Sequence, residues 1–523
     1  MPSTDTIVYF VSLSLAVAAA SLTIDVVVDQ VRAAYHDAFA RAVAGGRSLP
    51  LLIPYSLLGT FIVPTLWLSV PHVRWPAFYH TRWLVVGFSI AFNVHIARNS
   101  SCTNIAISYV TGLIAAWGIL TTLHLLVWSR PQFDAARAVR SSASSDPALV
   151  KNPKVTRPPN KDAFHWQPFP ADAPFLDRLG WAADLVMSFR GIGWNWSITS
   201  VPRPRMPCRV RPNDPVDFEP MSRTSRSGAE ICLTEGEFVR KRIFTIAMVW
   251  LITDFCSILV IRDPYFLLGP DHAHELPPHL RAIPAGLLLA YREFLVITSL
   301  LCILCGIFSL NDLAQYWLLK AWCPSRSGLW LHPTYFGGFS SVLDRGLSGF
   351  WGGFWHQTFR HQFLAPVTWA IETGYIKSGS QVAIISGTFI SFLQSGFLHS
   401  FGSLSSIPET KTWRPVIFFL LQAVGMYLQD TLRIQIRRFV PKPHIAIART
   451  ANFLFTLGWL YCTAIFFIDD VTSAGFAFAE VLPVSPLRWL GFGRASDSWF
   501  RWDRDCFPKW HRGQHWWESG LAW

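Results

Sequence analysis

Residues Val382-Ala-Ile-Ile-Ser-Gly-Thr-Phe-Ile-Ser-Phe-Leu-Gln-Ser-Gly-Phe-Leu-His-Ser-Phe-Gly402 contain no Asp, Glu, Lys or Arg. A hydrocarbon core about 30 Å thick is crossed by about 20 largely apolar helical residues, so Val382 to Ser400 reads as a membrane span. Comparable blocks run from Thr6 to Val28, Leu51 to Val70, Asn104 to Trp128, Ile243 to Ile261, Phe294 to Leu310, Val416 to Leu428 and Ala451 to Ile468. Weaker ones lie at Trp83 to Ile96, Pro366 to Ile376 and Ala474 to Leu490. Because only helices and closed barrels satisfy their backbone within lipid, these blocks predict an all-α polytopic membrane bundle of about 8 to 11 helices.

Composition points the same way. Of the 523 residues, 51% are apolar and 15% aromatic, with 25 Trp, while 15% are charged. An average soluble domain carries about 25% charged residues, so a single soluble globule is a poor fit. Forty-five Lys and Arg against 33 Asp and Glu leave a net charge of +12. Much of that excess flanks the blocks: Arg130 and Arg240, Lys241 and Arg242 bound the long polar stretch 129–242, and Arg433, Arg437, Arg438, Lys442 and Arg449 form a second basic loop. Cations gathered beside membrane helices mark cytosolic loops and meet anionic headgroups, so no nucleic-acid partner is needed to account for the charge.

The chain therefore divides into N-terminal membrane helices (1–128), a cytosolic Pro- and Arg-rich insertion (129–242), a membrane core (243–490) and a Trp-rich tail (491–523) that reads as an interfacial belt. Within the insertion, Ser141 to Ser145 and Arg157 to Asp162 read as flexible surface chain. Nine cysteines are scattered, and Cys302 and Cys305 form a CxxC inside an apolar block with no second pair at zinc spacing, so no metal site is expected.

Two segments carry candidate chemistry. In Leu347-Ser-Gly-Phe-Trp-Gly-Gly-Phe-Trp-His-Gln-Thr-Phe-Arg-His-Gln-Phe363, a helix would set Gly349, Gly353, His356 and Arg360 on one face and Trp351, Trp355, Phe359 and Phe363 on another. Such a face admits a ligand close to bare backbone, although spacing alone favours a neighbouring helix at a small-xxx-small contact. In the opening block, Thr388, Ser391, Ser395, His399 and Ser403 form a hydroxyl stripe ending on a histidine. An ionisable group within a membrane helix faces protein or a water-filled tunnel. Histidine exchanges protons near neutral pH, although a neutral histidine bonded to a neighbouring helix fits the same stripe. His124, Asp254, Gln422 and Gln429 read as helix–helix glue, and the glycosylation acceptor pattern at Asn195 is expected to go unused in a cytosolic segment. No GxSxG elbow, GxxxxGK[ST] loop, DDxxD cluster or HxxxD motif occurs, which disfavours a serine hydrolase, an ATP-driven pump, diphosphate-metal chemistry and a soluble CoA-dependent acyltransferase.

Phe350-Trp-Gly-Gly-Phe-Trp-His-Gln357 resembles the FWGRxWHQ motif of the wax synthase-like branch of the membrane-bound O-acyltransferases. Ser395-Gly-Phe-Leu-His399 is similar to the segment holding that superfamily's principal histidine, and Arg190-Gly-Ile-Gly-Trp-Asn-Trp196 resembles the RGIGWNW signature of its fungal members. Gly353 stands where the family usually has Arg, and Ser400 follows the histidine where many members have an acidic residue. The resemblance implies a catalytic tunnel in a multi-pass protein of the endoplasmic reticulum, with no bound cofactor. It implies acetyl-CoA as co-substrate and a hydrophobic terpenoid or meroterpenoid alcohol as acceptor. His399 and His356 are the implied catalytic residues, with Trp355, Gln357, Arg360, Gly349, Gly353, Ser395, Trp351 and Asn195 as substrate- or acyl-CoA-binding candidates. A wax ester synthase is the alternative reading. A non-catalytic transporter is disfavoured by the lack of an internal repeat.

Overall fold

The structure is a computed structural model describing residues 24–140, 164–207, 209–408, 410–439, 443–494 and 497–523. Most of the Thr6 to Val28 block, and both stretches read as flexible, lie outside the described residues. Twelve principal helices follow one another: α1 (Ile24–Ala44), α2 (Tyr55–Ser69), α3 (Arg82–Asn99), α4 (Ile105–Trp128), α5 (Phe175–Val186), α6 (Glu235–Val260), α7 (Ala285–Trp322), α8 (Arg360–Glu372), α9 (Gln381–Ser405), α10 (Trp413–Phe439), α11 (Ile445–Thr463) and α12 (Ile465–Ser473). Among the described residues, six helices (α4, α6, α7, α9, α10 and α11) are long and apolar enough to cross a membrane. The protein is a polytopic helical membrane protein.

Local sequence explains where these helices begin. Asn104, Thr234 and Ser380 each turn a side-chain oxygen onto a first-turn amide, of Ile107, Glu237 and Ala383. Glu235 and Glu237 add negative charge at the positive end of α6, whose first turns were expected to be the end of the polar insertion. The block at Ala474 to Leu490 is not a span: Gly475 adopts φ 85°, and only the short helices Phe476–Phe478 and Pro486–Trp489 follow. Prolines at 483 and 486 withhold the amides a continuous helix needs. Leu51 to Val70 likewise shortens to α2, which includes a π turn at Leu58–Ile62.

Small residues bring the spans together. Across α4 and α9, a Cβ at Gly112 would strike the Phe401 backbone, and one at Gly402 would meet the Tyr109 ring at 2.6 Å. Ser101 and Ser108 both donate to Ser405 O (2.9 and 2.7 Å), and Ser405 Oγ donates to Ser108 O at 2.7 Å. Without a hydrophobic force between helices in lipid, close approach and interhelical hydrogen bonds of this kind provide the association. α6 and α7 run antiparallel, tied by the buried Arg242–Asp312 pair (2.8 Å), with Arg242 also donating to His332 O at 3.0 Å. Their outer faces, Ile243, Phe244, Leu251 and Phe255 among them, stay exposed, as lipid-facing surfaces do.

The polar insertion folds. Strands Ala136–Arg140 and Phe164–Pro168 pair antiparallel, Ala136 opposite Pro168, over a core with Trp166 and Phe218 buried in it, while Trp181 and Trp194 are buried in a second cluster with Trp67, Val85 and Leu125 of the N-terminal helices. Arg137 and Arg326 both pair with Asp184 (3.0 and 2.9 Å). Gly193 sits at φ 76°, and a Cβ there would meet Leu331 and Arg326, so this glycine lets the insertion close onto the segment before residue 332. At the other end of the chain, Gly520–Ala522 pairs with Leu52–Ile53, which fastens the tail to the N-terminal region and leaves Trp499, Trp510, Trp516 and Trp517 exposed.

Candidate functional site

The segment predicted as one helix from Leu347 to Phe363 is not one. Helix Leu347–Gly349 passes into a π turn at Phe350–Phe354, Trp355 is extended (φ −65°, ψ 151°), and α8 begins only at Arg360. The shared face of Gly349, Gly353, His356 and Arg360 is therefore corrected. Glycines at 352 and 353 weaken helix propagation, and the chain instead forms a wedge directed into the bundle. Its depth is set against α10: Gln429 accepts from Leu347 N at 2.8 Å, and two turns further in Gln422 accepts from Trp351 Nε1 at 3.3 Å. Non-helical backbone within a membrane bundle must have its polar groups satisfied by protein. Gln357 does this by donating to Trp351 O and Trp355 O (2.6 and 2.7 Å), and Arg360 by donating to Gly352 O at 3.1 Å and Gln357 Oε1 at 2.8 Å.

This wedge brings His356 toward His399. An aromatic chain joins the two imidazoles: His356 to Trp355 (5.5 Å between centroids), Trp355 to Trp351 (5.9 Å), Trp351 to Phe419 (5.9 Å) and Phe419 to His399 (5.0 Å). Both histidines are surrounded by rings yet retain some accessible surface. Nδ1 of His356 lies 3.1 Å from Thr358 Oγ1, and burial, joined by the positive charge of Arg190, lowers His356 to about 4. His356 is thus neutral at pH 7. His399 stacks on Phe419 and meets Phe467 edge-on at 5.1 Å, while its Nδ1 faces the Tyr109 hydroxyl at 3.5 Å.

The remaining expected residues divide. Trp351, Trp355, Gln357 and Arg360 shape the wedge around His356. Gly349 and Gly353 form its close contact, since a Cβ at either would overlap Ser341 or Arg345. Where the family motif has Arg at 353, the Arg345 guanidinium occupies the space above this glycine. Its charge, after burial, lowers Arg360, and among the described residues neither cation has a carboxylate partner. Ser395 lies on α9 one turn from His399, partly buried. Asn195 is taken up inside the insertion, accepting from Ala136 N (3.0 Å) and donating to Asp134 O (2.9 Å). The hydroxyl stripe is only partly a stripe: Thr388 and Ser391 bond back to Ile384 O and Gly387 O of their own helix, whereas Ser403 reaches across to Asp470 Oδ1 at 2.6 Å.

Several residues around the site were not read from the sequence. Tyr109 hides in an apolar block, and Asp470 follows one directly, where a buried carboxylate is itself a signal. Arg190 was noted only as part of a motif. It is buried, lies over the Tyr335 ring at 3.8 Å, and donates to Thr334 O and Pro333 O. The residues read as glue do act between elements: Gln422 also donates to Thr463 Oγ1 (3.1 Å), Asp254 accepts from Leu487 N (3.0 Å), and His124 packs on His361 at 4.5 Å.

Comparison with known proteins adds to this geometry. The model of the membrane bound O-acyl transferase family matches residues 332–421. Over 321 residues the chain is 26% identical to a protein of Aspergillus niger named O-Mevalon transferase yanI, a match covering 55% of this chain and 61% of that one. Over 259 residues it is 26% identical to Acetyltransferase ple2 of Rhodocybe pseudopiperita, covering 49% of this chain and 57% of the relative. The chain thus spans less than two thirds of the length of either relative. No solved structure matches it. The stretch that matches this family's model, residues 332–421, holds the His356 wedge and the His399 helix together.

Proposed function

We propose that this chain is an acyl-CoA-dependent O-acyltransferase that moves an acetyl group from acetyl-CoA to a hydroxyl of a hydrophobic terpenoid or meroterpenoid alcohol within the membrane of the endoplasmic reticulum. The observation that carries the reading is the meeting of His356 and His399 in one aromatic-lined interior inside the family-matched region. An alcohol is far too weak an acid to ionise alone at neutral pH, so the reaction needs a base at the hydroxyl and a donor at the thioester oxygen. His399 takes the hydroxyl proton as the oxygen attacks the thioester carbonyl. The C–S bond then breaks, and the departing CoA thiolate recovers the proton from the His399 imidazolium. His356, neutral and held at Nδ1 by Thr358, offers its other ring nitrogen as an N–H donor to the developing oxyanion. Arg360, with Arg345 beside it, supplies the cations for the CoA phosphates, a role for which guanidinium geometry is well suited.

The fungal signature at Arg190 to Trp196 and the relative named as an acetyltransferase support acetyl as the transferred group; the other relative's name specifies a different one. Microsomes containing the chain, given radiolabelled acetyl-CoA and a panel of terpenoid and fatty alcohols, test the proposal. Label in a terpenoid ester that palmitoyl-CoA does not suppress is the expected result. Transfer only from palmitoyl-CoA to fatty alcohols would replace it with wax ester synthesis, and binding of a sterol-like ligand without consumption of any acyl-CoA would indicate a non-catalytic binding protein.

A further inference from the structure

We propose that Asp470, acting through Tyr109, is the positioning residue that holds the His399 imidazole with its proton on Nδ1 and leaves Nε2 bare toward the reacting hydroxyl. The role assigned to the bare nitrogen rests on the acyl-transfer reading; the tautomer rests on the geometry alone. Asp470, on α12, is fully buried, and its carboxylate accepts from Ser403 Oγ at 2.6 Å and from the Tyr109 hydroxyl at 3.3 Å. A phenol has one proton. Given to Asp470, that proton leaves the phenolic oxygen able only to accept, so the His399 Nδ1 that faces it at 3.5 Å must be the donor.

Among the described residues, the Tyr109 hydroxyl is the one hydrogen-bond partner of the His399 ring. Phe419 of α10 covers one face of the imidazole, and Phe467 of α12 meets it edge-on. Phe476 packs edge-on against the Tyr109 ring at 5.0 Å, and Gly402 lets that ring lie against the backbone of α9. Burial raises the Asp470 carboxyl to about 7, and against that rise the Ser403 and Tyr109 hydrogen bonds and the Arg414 charge of α10 favour the carboxylate form that accepts both protons. When Nε2 takes the alcohol proton, the imidazolium charge is offset through Nδ1–H to the phenolic oxygen and on to the carboxylate. No second proton has to move, and the proton on Nε2 is the one later returned to the thiolate. Outer partners of this kind fix ring orientation and tautomer, and their removal typically costs about 10- to 100-fold in activity.

The full-length chain, reconstituted with 15N-labelled histidine, gives the first test, with the His399 resonances identified by their loss in His399→Ala. The wild type is expected to show the Nδ1–H tautomer, and Tyr109→Phe and Asp470→Asn a shift toward Nε2–H. In acyl transfer, each variant should lose about 10- to 100-fold in kcat with KM within twofold, and the double variant should be no slower than the worse single one. Tyr109→Phe keeps the buried ring, so it decides the matter even where Asp470→Asn fails to fold. An Nε2–H tautomer in the wild type, an unchanged kcat in Tyr109→Phe, or losses that multiply in the double variant would each overturn the proposal. A wild type that consumes no acyl-CoA would count against the acyl-transfer reading, and the tautomer measurement would still decide this one.

Discussion

His399 and His356 reach the same interior on opposite kinds of backbone. His399 rides on α9, a 25-residue regular helix whose peptide groups bond one another, so its placement comes from what neighbouring helices press against it: Phe419, Phe467 and Tyr109. His356 stands just past a π turn, where the peptide groups of Trp351, Gly352 and Trp355 find partners in Gln357 and Arg360. A regular helix therefore delegates precision to tertiary contacts, while an irregular wedge builds it from its own side chains. Damage should follow the same division: on α9 the hydroxyls that bond only their own helix should be dispensable, whereas the wedge should be sensitive well beyond its histidine.

The largest effect should come from His399→Ala. Loss of a general base typically costs about 10² to 10⁴ in rate, so turnover should fall by at least that factor while the protein stays folded by thermal-shift measurement; near-normal turnover would remove His399 from the mechanism. His356→Gln keeps an N–H donor in roughly the same volume and should lower kcat by about 10- to 100-fold, less than the loss from deleting an oxyanion donor outright. Its pH–rate profile should keep the wild-type shape between pH 5.5 and 8. Burial has already lowered His356 to about 4, so the group is deprotonated throughout that range and contributes no limb to it. A limb that vanishes with His356 would show that it titrates in the working enzyme.

Gln357→Ala sharpens the contrast between the two backbones. It removes the donor to Trp351 O and Trp355 O, and a buried acceptor left unsatisfied costs about 1–3 kcal/mol. Reduced thermal stability together with a roughly tenfold lower kcat is expected, and an unchanged protein would mean that the wedge does not depend on these bonds. Ser391→Ala is the counterpart on α9, since the hydroxyl only bonds back to Gly387 O of its own helix. Stability and turnover should stay within about 0.5 kcal/mol of wild type; a large loss would restore Ser391 to a functional stripe.

The two histidines were legible in sequence for different reasons. His399 stood out because an ionisable group inside an apolar block is unusual, and α9 formed where that block lay. His356 stood out through its motif, but the helix drawn through it was wrong. Spacing arithmetic assumes continuous helical backbone, and the glycines at 352 and 353, followed by the extended Trp355, break it. The stripe on α9 failed at Thr388 and Ser391 for a related reason: periodicity places hydroxyls on one face, but an i−4 carbonyl of the same helix satisfies them without a partner. Tyr109 lies 290 positions from His399, and no local pattern joins them.

What the sequence determined by itself is the solvent and the elements: apolar blocks commit the chain to lipid, and Asn104, Thr234 and Ser380 begin helices where they stand. Transfer into lipid and helix capping are local free energies, summed residue by residue, so a linear reading captures them. Tertiary structure decided which side chains meet. Gly402 admits Tyr109 against α9, α12 turns Asp470 onto that hydroxyl, and Gln422 receives Trp351 so that the wedge brings His356 inward. Those contacts depend on how closely backbones approach and where each ring fits, properties of the packed bundle that no single segment possesses.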